Sequence, residues 1–356
     1  MKLAEPLEIG GVVIEEVDYR SLSDDRIRLL NTFENVMRAE AAPEDPPRPV
    51  SLTEADERTL PDYFVVRQFW GFDPDGGMAA QGFGWWTATE DNRHVVNVGI
   101  EVRPDRRRRG IARELLRLMV GVAESEGRSL LIGRTIDRVP EGEAFARRVG
   151  AQLGLATHVN RLVLADVDRN LVRRWADEGP ARASGYVVVT FDSPYPDDQL
   201  EQIADLAGVM NTAPLDDLQL EDRQITADHV RQWERSMRAA GTEGWALFAR
   251  HVSSGRLVGY TEVRWNPHEP TTVWQGDTGV RPEHRGHALG KWLKASMLER
   301  ILADRPGVED IRTGNADSNA PMLGINHALG FKPYIAHMGW QIPTQRARAY
   351  VDGSSD

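Results

Sequence analysis

Two stretches of this 356-residue chain combine arginine, proline and small residues in the same order. The first is Val102-Arg103-Pro104-Asp105-Arg106-Arg107-Arg108-Arg109-Gly110-Ile111-Ala112, and the second is Val280-Arg281-Pro282-Glu283-His284-Arg285-Gly286-His287-Ala288-Leu289-Gly290. Each reads as a strand end, a basic turn and the start of a helix. A helix start offers unpaired backbone N–H groups at the positive end of the helix dipole, and small residues let a ligand approach the main chain. Arginine adds paired donors with a fixed charge, so the combination suits an anionic phosphate or diphosphate. Neither stretch fits G-x-G-x-x-G or G-x-x-x-x-G-K-[ST], which argues against a Rossmann dinucleotide site and an NTPase P-loop. His284 and His287 have metal-like spacing without a third ligand nearby, so no metal is expected.

Groups able to move protons lie near the second turn. Asp277 lies on the strand just before it and Glu262 on the neighbouring strand; either could act as a base, and Tyr334 is a phenol that could act as an acid. Strand alternation leaves open which face each carboxylate occupies. The chain has 0 cysteines, which excludes disulfides, thiolate metal sites and a cysteine nucleophile.

The elements that must position these residues recur. In the first half, periodicity predicts a strand at 12–17, a helix to about Ala42, a short helix from Ser51, and a hairpin of 63–72 with 78–88. Strand 95–102 then leads into the first turn and a helix to about Glu126, followed by a strand, a helix ended by Gly150 and a strand at 160–164. A linker helix at 168–178 is expected to stop at Gly179-Pro180, after which the order restarts. An offset of 178 residues superposes Val102 on Val280, Arg107 on Arg285, Leu115 on Leu293 and Arg134-Thr135 on Arg312-Thr313. A period of that size is a duplicated domain. The expected division is 1–165, a linker at 166–184, a second lobe at 185–345 and a loosely held tail at 346–356.

The sequence Arg107-Arg108-Arg109-Gly110-Ile111-Ala112 resembles the [Q/R]-x-x-G-x-[G/A] signature of the GNAT superfamily of acyl-CoA-dependent N-acyltransferases, and the second turn resembles it with Ala288 where glycine is usual. The run Thr313 to Phe331, with Asn315 and Asn319, resembles that superfamily's second block. The resemblance implies an α+β (mixed α/β) fold of two tandem GNAT-type lobes, each with a mixed, mostly antiparallel central sheet flanked by helices. It implies acetyl-CoA as cofactor, held by Val280, Arg281, Arg285, Gly286, His287, Ala288, Leu289, Gly290, Asn315 and Asn319, with Val102, Arg103, Arg107, Arg108, Arg109, Gly110, Ile111 and Ala112 as the N-terminal counterpart. It also implies that the Val280 N–H polarises the thioester carbonyl. Many members carry Tyr seven residues after the asparagine; here Asn326 stands there. The N-terminal lobe lacks the asparagine block after Arg134-Thr135, so catalysis is expected in the C-terminal lobe.

With 41% hydrophobic and 27% charged residues and a net charge of −11, the chain has an ordinary globular composition that disfavours nucleic acid. No apolar run reaches membrane-spanning length and no signal peptide is legible, so a cytoplasmic monomer or homodimer is expected. The expected activity is transfer of acetyl from acetyl-CoA to a primary amine of a small molecule. The alternatives are an acyl-CoA sensor without turnover and a protein-lysine acetyltransferase.

Overall fold

A computed structural model describes Leu3 and residues 5–353; the other termini, including Met1, Lys2 and the last three residues of the expected tail, lie outside the described residues. In chain order the elements are β1 (Leu7–Ile9), β2 (Val12–Val17), α1 (Asp24–Ala41), α2 (Val50–Arg58), β3 (Phe64–Phe72), β4 (Met78–Thr87), β5 (Val95–Val102), α3 (Ile111–Ser125), β6 (Leu130–Ile136), α4 (Pro140–Val149) and β7 (Gln152–Val163). They continue with α5 (Arg169–Arg182), β8 (Tyr186–Asp192), α6 (Leu200–Ala207), α7 (Ala227–Ala239), β9 (Glu243–His251), β10 (Leu257–Trp265), β11 (Thr272–Val280), α8 (Leu289–Asp304), β12 (Asp310–Ala316), α9 (Ala320–Leu329), β13 (Lys332–Pro343) and α10 (Thr344–Asp352). No described helix is long and apolar enough to cross a membrane.

Two compact units form, and they are not simple halves of the chain. Unit 1 comprises Met1–Ala156, Leu215–Glu221 and Ala336–Asp356; unit 2 comprises Thr157–Pro214 and Asp222–Ile335. The sheet of unit 1 runs β1-β2-β3-β4-β5-β6 and is completed by the second part of β13, whose His337 to Pro343 pair antiparallel with β6. The sheet of unit 2 runs β12-β11-β10-β9-β8 and is completed beside β12 by the second part of β7. Each sheet has one parallel pair, β5 with β6 and β11 with β12; the other ladders are antiparallel.

In unit 1 the apolar stripe of α3, with Ile111, Leu115, Met119 and Val122, packs on one sheet face. Gly82 and Gly84 lie directly beneath Leu115 and Met119, where a β-carbon would come within 3.0 and 3.2 Å of them. Helices α1 and α2 cover the opposite face; Ile27, Leu30 and Phe33 of α1 form a core there with Trp70. In unit 2, α8 and α5 cover the equivalent of the α3 face, and the Trp292 ring lies over Gly179.

The expected domain limits therefore shift, because each lobe closes its sheet with a distant strand. The helix expected to stop at Gly179-Pro180 continues to Arg182 and belongs to unit 2, since Val172 and Gly179 are buried there. Residues from Arg346, expected to be loose, form α10, whose Ala347 and Val351 complete the unit 1 core.

This arrangement makes unit 1 depend on the far end of the chain. Ile342→Ala should cost about 2–5 kcal/mol, and hydrogen exchange should quicken in β5 and β6 while β10 and β11 keep their protection.

Candidate functional site

Both basic turns adopt one backbone conformation. Arg108 (φ 65°) and Gly110 (φ 87°) in the first match Gly286 (φ 84°) and Ala288 (φ 57°) in the second. Each turn thus holds one glycine and one L residue in the left-handed region, at a cost of about 1–2 kcal/mol for the latter. Left-handed residues alternating with ordinary ones point successive N–H groups inward as an anion cradle. They also delay the helices, which begin at Ile111 and Leu289. Open space surrounds Gly286, where an added β-carbon would meet nothing within 4 Å.

The strand before each turn parts from its parallel neighbour. Pairing of β11 with β12 ends at Trp274 with Arg312, and pairing of β5 with β6 ends at Val98 with Gly133. On the other side, Gly259 lies opposite Val280 and the Arg281 N–H donates to the Val258 carbonyl at 2.8 Å. That pattern makes Gly259 and Val280 a non-hydrogen-bonded pair, so the Val280 N–H points away from β10 into the opening. Ala80 with Val102, and Arg103 N–H to Ala79 carbonyl at 2.9 Å, repeat the geometry.

What differs between the turns is the partner of the arginine that reaches back to the strand end. Arg107 and Arg285 both donate through Nε to the carbonyl of the strand end, at 3.1 and 3.0 Å. Beyond that, Arg107 donates Nη1 to Glu40 at 2.7 Å, whereas Arg285 donates Nη2 to the neutral Thr212 hydroxyl at 2.7 Å. Arg103 and Arg106 are paired with Asp73 and Asp105, and the main chain of Arg109 is held against Gly10. In the second turn Arg281 meets Asp205 at 2.5 Å, but no carboxylate pairs with Arg285 among the described residues. The second cradle keeps an uncompensated guanidinium. His284 accepts or donates at 2.9 Å with the Tyr186 hydroxyl, inside a group of rings that includes His251 and His287, and burial lowers its pKa first of all. Among the described residues no cluster could hold a metal ion.

The structure resolves which way the carboxylates face. Thr261 pairs with Thr278 and Val263 with Gln275, so Gly276 and Asp277 together oppose Glu262: a β-bulge in β11. The bulge puts Gln275 and Thr278 on one face, both within hydrogen-bond reach of the Thr261 hydroxyl, and turns Asp277 to the other. There Tyr260 donates to Asp277 at 3.4 Å, and Glu262 lies along the Gly276 backbone, where a β-carbon would come within 2.6 Å of Oε1. Burial raises the Glu262 pKa, opposed by Arg264 at 3.1 Å and reinforced by Asp277. Burial, then the Asp277 charge, raises Tyr260 well above an ordinary phenol, so it stays protonated.

Tyr334 has different company. The Arg312 and Arg161 guanidinium groups lie 4.8 and 5.6 Å from its ring centre, and both arginines pair with the buried Asp310. The phenol beside the carboxylates is Tyr260, two residues from Glu262 on the same strand and hence on its face, a signal present in the sequence but not used. Asn319 caps α9, accepting from the Met322 N–H at 3.3 Å, while the matching position before α4 is Val139, which caps nothing. Asn326 is fully buried and donates to Asn315 Oδ1 at 2.7 Å, so it orients Asn315. Strands β6 and β12 begin at Leu130 and Asp310, an offset of 180, which places Arg134 on Gly314 and corrects the alignment with Arg312.

One further residue escaped the sequence reading: Lys294 of α8 is buried with Nζ 5.3 Å from the Phe331 ring centre, and burial pushes its pKa down to about 7 from 10.5. The unfolded chain binds that proton more tightly, so stability rises with pH between the two values. Lys294→Met should therefore raise the melting temperature most at pH 7 and below, with the gain shrinking as pH approaches 10.

The Acetyltransferase (GNAT) family model matches residues 212–331. A mycothiol acetyltransferase of Salinispora arenicola (strain CNS-205) is 33% identical over 124 residues, a match covering 32% of this chain and 40% of that relative's length. A solved tandem GNAT protein from the clavulanic acid biosynthesis pathway superposes with a TM-score of 0.77 and 27% identity, over 93% of this chain and 98% of that one. A GCN5-related N-acetyltransferase from Sphaerobacter thermophilus shares the fold, with a TM-score of 0.66 at 14% identity, 93% of this chain and 96% of that chain being covered. Residues 212–331 thus match an acetyltransferase domain of the GNAT family, and over nearly its whole length the chain is similar to a solved tandem GNAT protein.

Proposed function

We propose that the protein transfers acetyl from acetyl-CoA to a primary amine of a small molecule, and that unit 2 carries the chemistry. The observation that carries this reading is the cluster of Tyr260, Glu262 and Asp277 on one face of β10 and β11, three residues before the outward N–H of Val280. The fit to CoA rests on the open, left-handed cradle at Gly286 and Ala288, the uncompensated Arg285 and the capped start of α9.

Arg285, His287 and the N–H groups from Gly286 to Gly290 would hold the diphosphate, with Arg281 fixing the strand end and Asn315 and Asn319 flanking the pantetheine arm. Acetyl-CoA would supply an activated acyl group. The Val280 N–H is oriented to polarise a carbonyl in the opening. Glu262 or Asp277 takes a proton from the incoming ammonium, freeing its nitrogen lone pair for attack, and Tyr260 keeps a proton in reserve at Oη. Tyr334 is the second candidate for the acid, with the Arg312 and Arg161 guanidinium groups against its ring. In unit 1, Arg103, Arg106 and Arg107 are already paired with acids, which favours a supporting role for its cradle. The mycothiol link of the Salinispora relative is one candidate for acceptor chemistry, and an amine panel is the way to weigh it.

Release of CoA from acetyl-CoA, followed with such a panel, tests the reaction; consistent silence with CoA still bound would refute it. Glu262→Gln should lower kcat roughly 100- to 10,000-fold and abolish the rise of rate with pH through the elevated carboxyl pKa. An equal loss in Asp277→Asn alone would assign the base to Asp277. Asn319→Ala should weaken CoA binding and cost about 1 kcal/mol of stability through the lost cap; unchanged affinity in calorimetry would remove Asn319 from the site.

A further inference from the structure

At the end of β4 away from the basic turn, on the sheet face that α3 covers, unit 1 holds a guanidinium that its own side chains satisfy only in part. Arg128 lies in the connection between α3 and β6. Its guanidinium stands 4.9 Å from the centre of the Trp86 ring, and Nη1 donates to the Val95 and Asn92 carbonyls at 2.8 and 3.3 Å. Nε is buried without a partner, and among the described residues Nη2 donates to nothing and no carboxylate pairs with Arg128. Beside it is a cleft of about 520 Å³ whose lining includes Val65, Arg67, Ala88, Arg93 and Glu126. Arg67 is paired with Glu16 and Arg93 with Glu90. Burial lowers the Arg128 pKa first of all, against the Glu126 charge and together with that of Arg93.

Unit 2 carries the counterpart of this arrangement and fills it with its own side chains. Trp265 lies opposite Glu243 as Trp86 lies opposite Val65, and two residues back Trp245 stands where unit 1 has Arg67. Arg305, in the connection after α8, is 4.4 Å from the centre of the Trp265 ring, and its Nε is also buried without a partner. An orphaned Nε is thus common to both stacked arginines and distinguishes neither unit. The acid does: Arg305 donates Nη2 to Glu243, while Trp245 is buried against Arg300 and Arg305. Unit 1 has valine at the place of that acid and an arginine at the place of that indole. A guanidinium withdrawn from water is costly without a counter-charge, and its planar pair of donors suits a carboxylate.

We propose that this cleft of unit 1 binds a small monocarboxylate with an apolar body, its carboxylate meeting Arg128 Nη2 in the way Glu243 meets Arg305. Val65 and Ala88 supply apolar surface, and Arg93 adds a flanking positive charge. Because Arg67 and Arg93 already have acids, one negative charge matches the cleft better than a polyanion does. The cleft lies on the opposite sheet face from α1 and α2 and at the other end of β4 from the cradle.

The test is a ligand-observed NMR titration of the full chain with benzoate, using benzamide and inorganic phosphate for comparison. Benzoate is expected to bind saturably, and the neutral amide and phosphate at least about tenfold more weakly. Arg128→Gln should weaken benzoate at least about tenfold, in line with loss of a charge-assisted hydrogen bond. Val65→Glu installs the acid that unit 2 carries and should exclude benzoate. It leaves Arg128 and its bonds to the Val95 and Asn92 carbonyls in place, so it decides the matter even where Arg128→Gln fails to fold. No saturable binding of benzoate, equal binding of benzamide or phosphate, or unchanged affinity in Val65→Glu would overturn the proposal. The titration needs neither acetyl-CoA nor turnover, so its failure leaves acetyl transfer by unit 2 standing, and the reverse holds too.

Discussion

The interruption of one parallel ladder is the constraint on which the rest depends. After Trp274 and Arg312 the two central strands of unit 2 no longer share hydrogen bonds, yet β11 continues for six residues to Val280. A backbone N–H in a sheet is ordinarily committed to its ladder. Here the alternation of the antiparallel ladder aims the Val280 N–H outward, and the parting of β12 leaves room before it. The turn that follows must then reverse the chain without closing that room. It does so through left-handed residues at Gly286 and Ala288, and a β-branched or bulky side chain would be poorly tolerated at either.

The two units share this backbone device and diverge in charge. At the first turn, acids from α1 and the β3–β4 connection pair with Arg107, Arg103 and Arg106, whereas Arg108 and Arg109 have no carboxylate partner among the described residues; at the second, a threonine hydroxyl meets Arg285 and leaves its charge available. The sheet faces diverge in the opposite sense. Unit 2 carries a bulge that turns Asp277 toward Tyr260, whereas β5 pairs with β4 without a bulge and presents Glu101 one residue from the strand end. A single inserted residue in a strand inverts the faces of the residues beyond it, which is how duplicated lobes can place acids at different depths on the same scaffold.

Stability and connectivity are tied together as well. The last strand and helix of the chain finish the core of unit 1, while the strand after α4 finishes the sheet of unit 2. The segment Leu215–Glu221 also belongs to unit 1, where Leu218 and Leu220 cover Val95, Leu130 and Ile132.

The sequence by itself determined what is local. The turns, the helices behind them and the repeat were legible because an arginine-rich, small-residue turn and a 3.6-residue apolar period are specified by neighbours a few positions apart. The Asn319 cap was legible for the same reason. Tertiary structure alone decided the face of Asp277, because a bulge shows only in the pairing of β10 with β11, and it decided that Tyr260 stands beside Asp277. It decided the limits of the units, since strand exchange joins residues more than two hundred positions apart. And it decided which arginines keep their charge: a run of them reads alike along the chain, but their availability depends on carboxylates that folding brings from elsewhere.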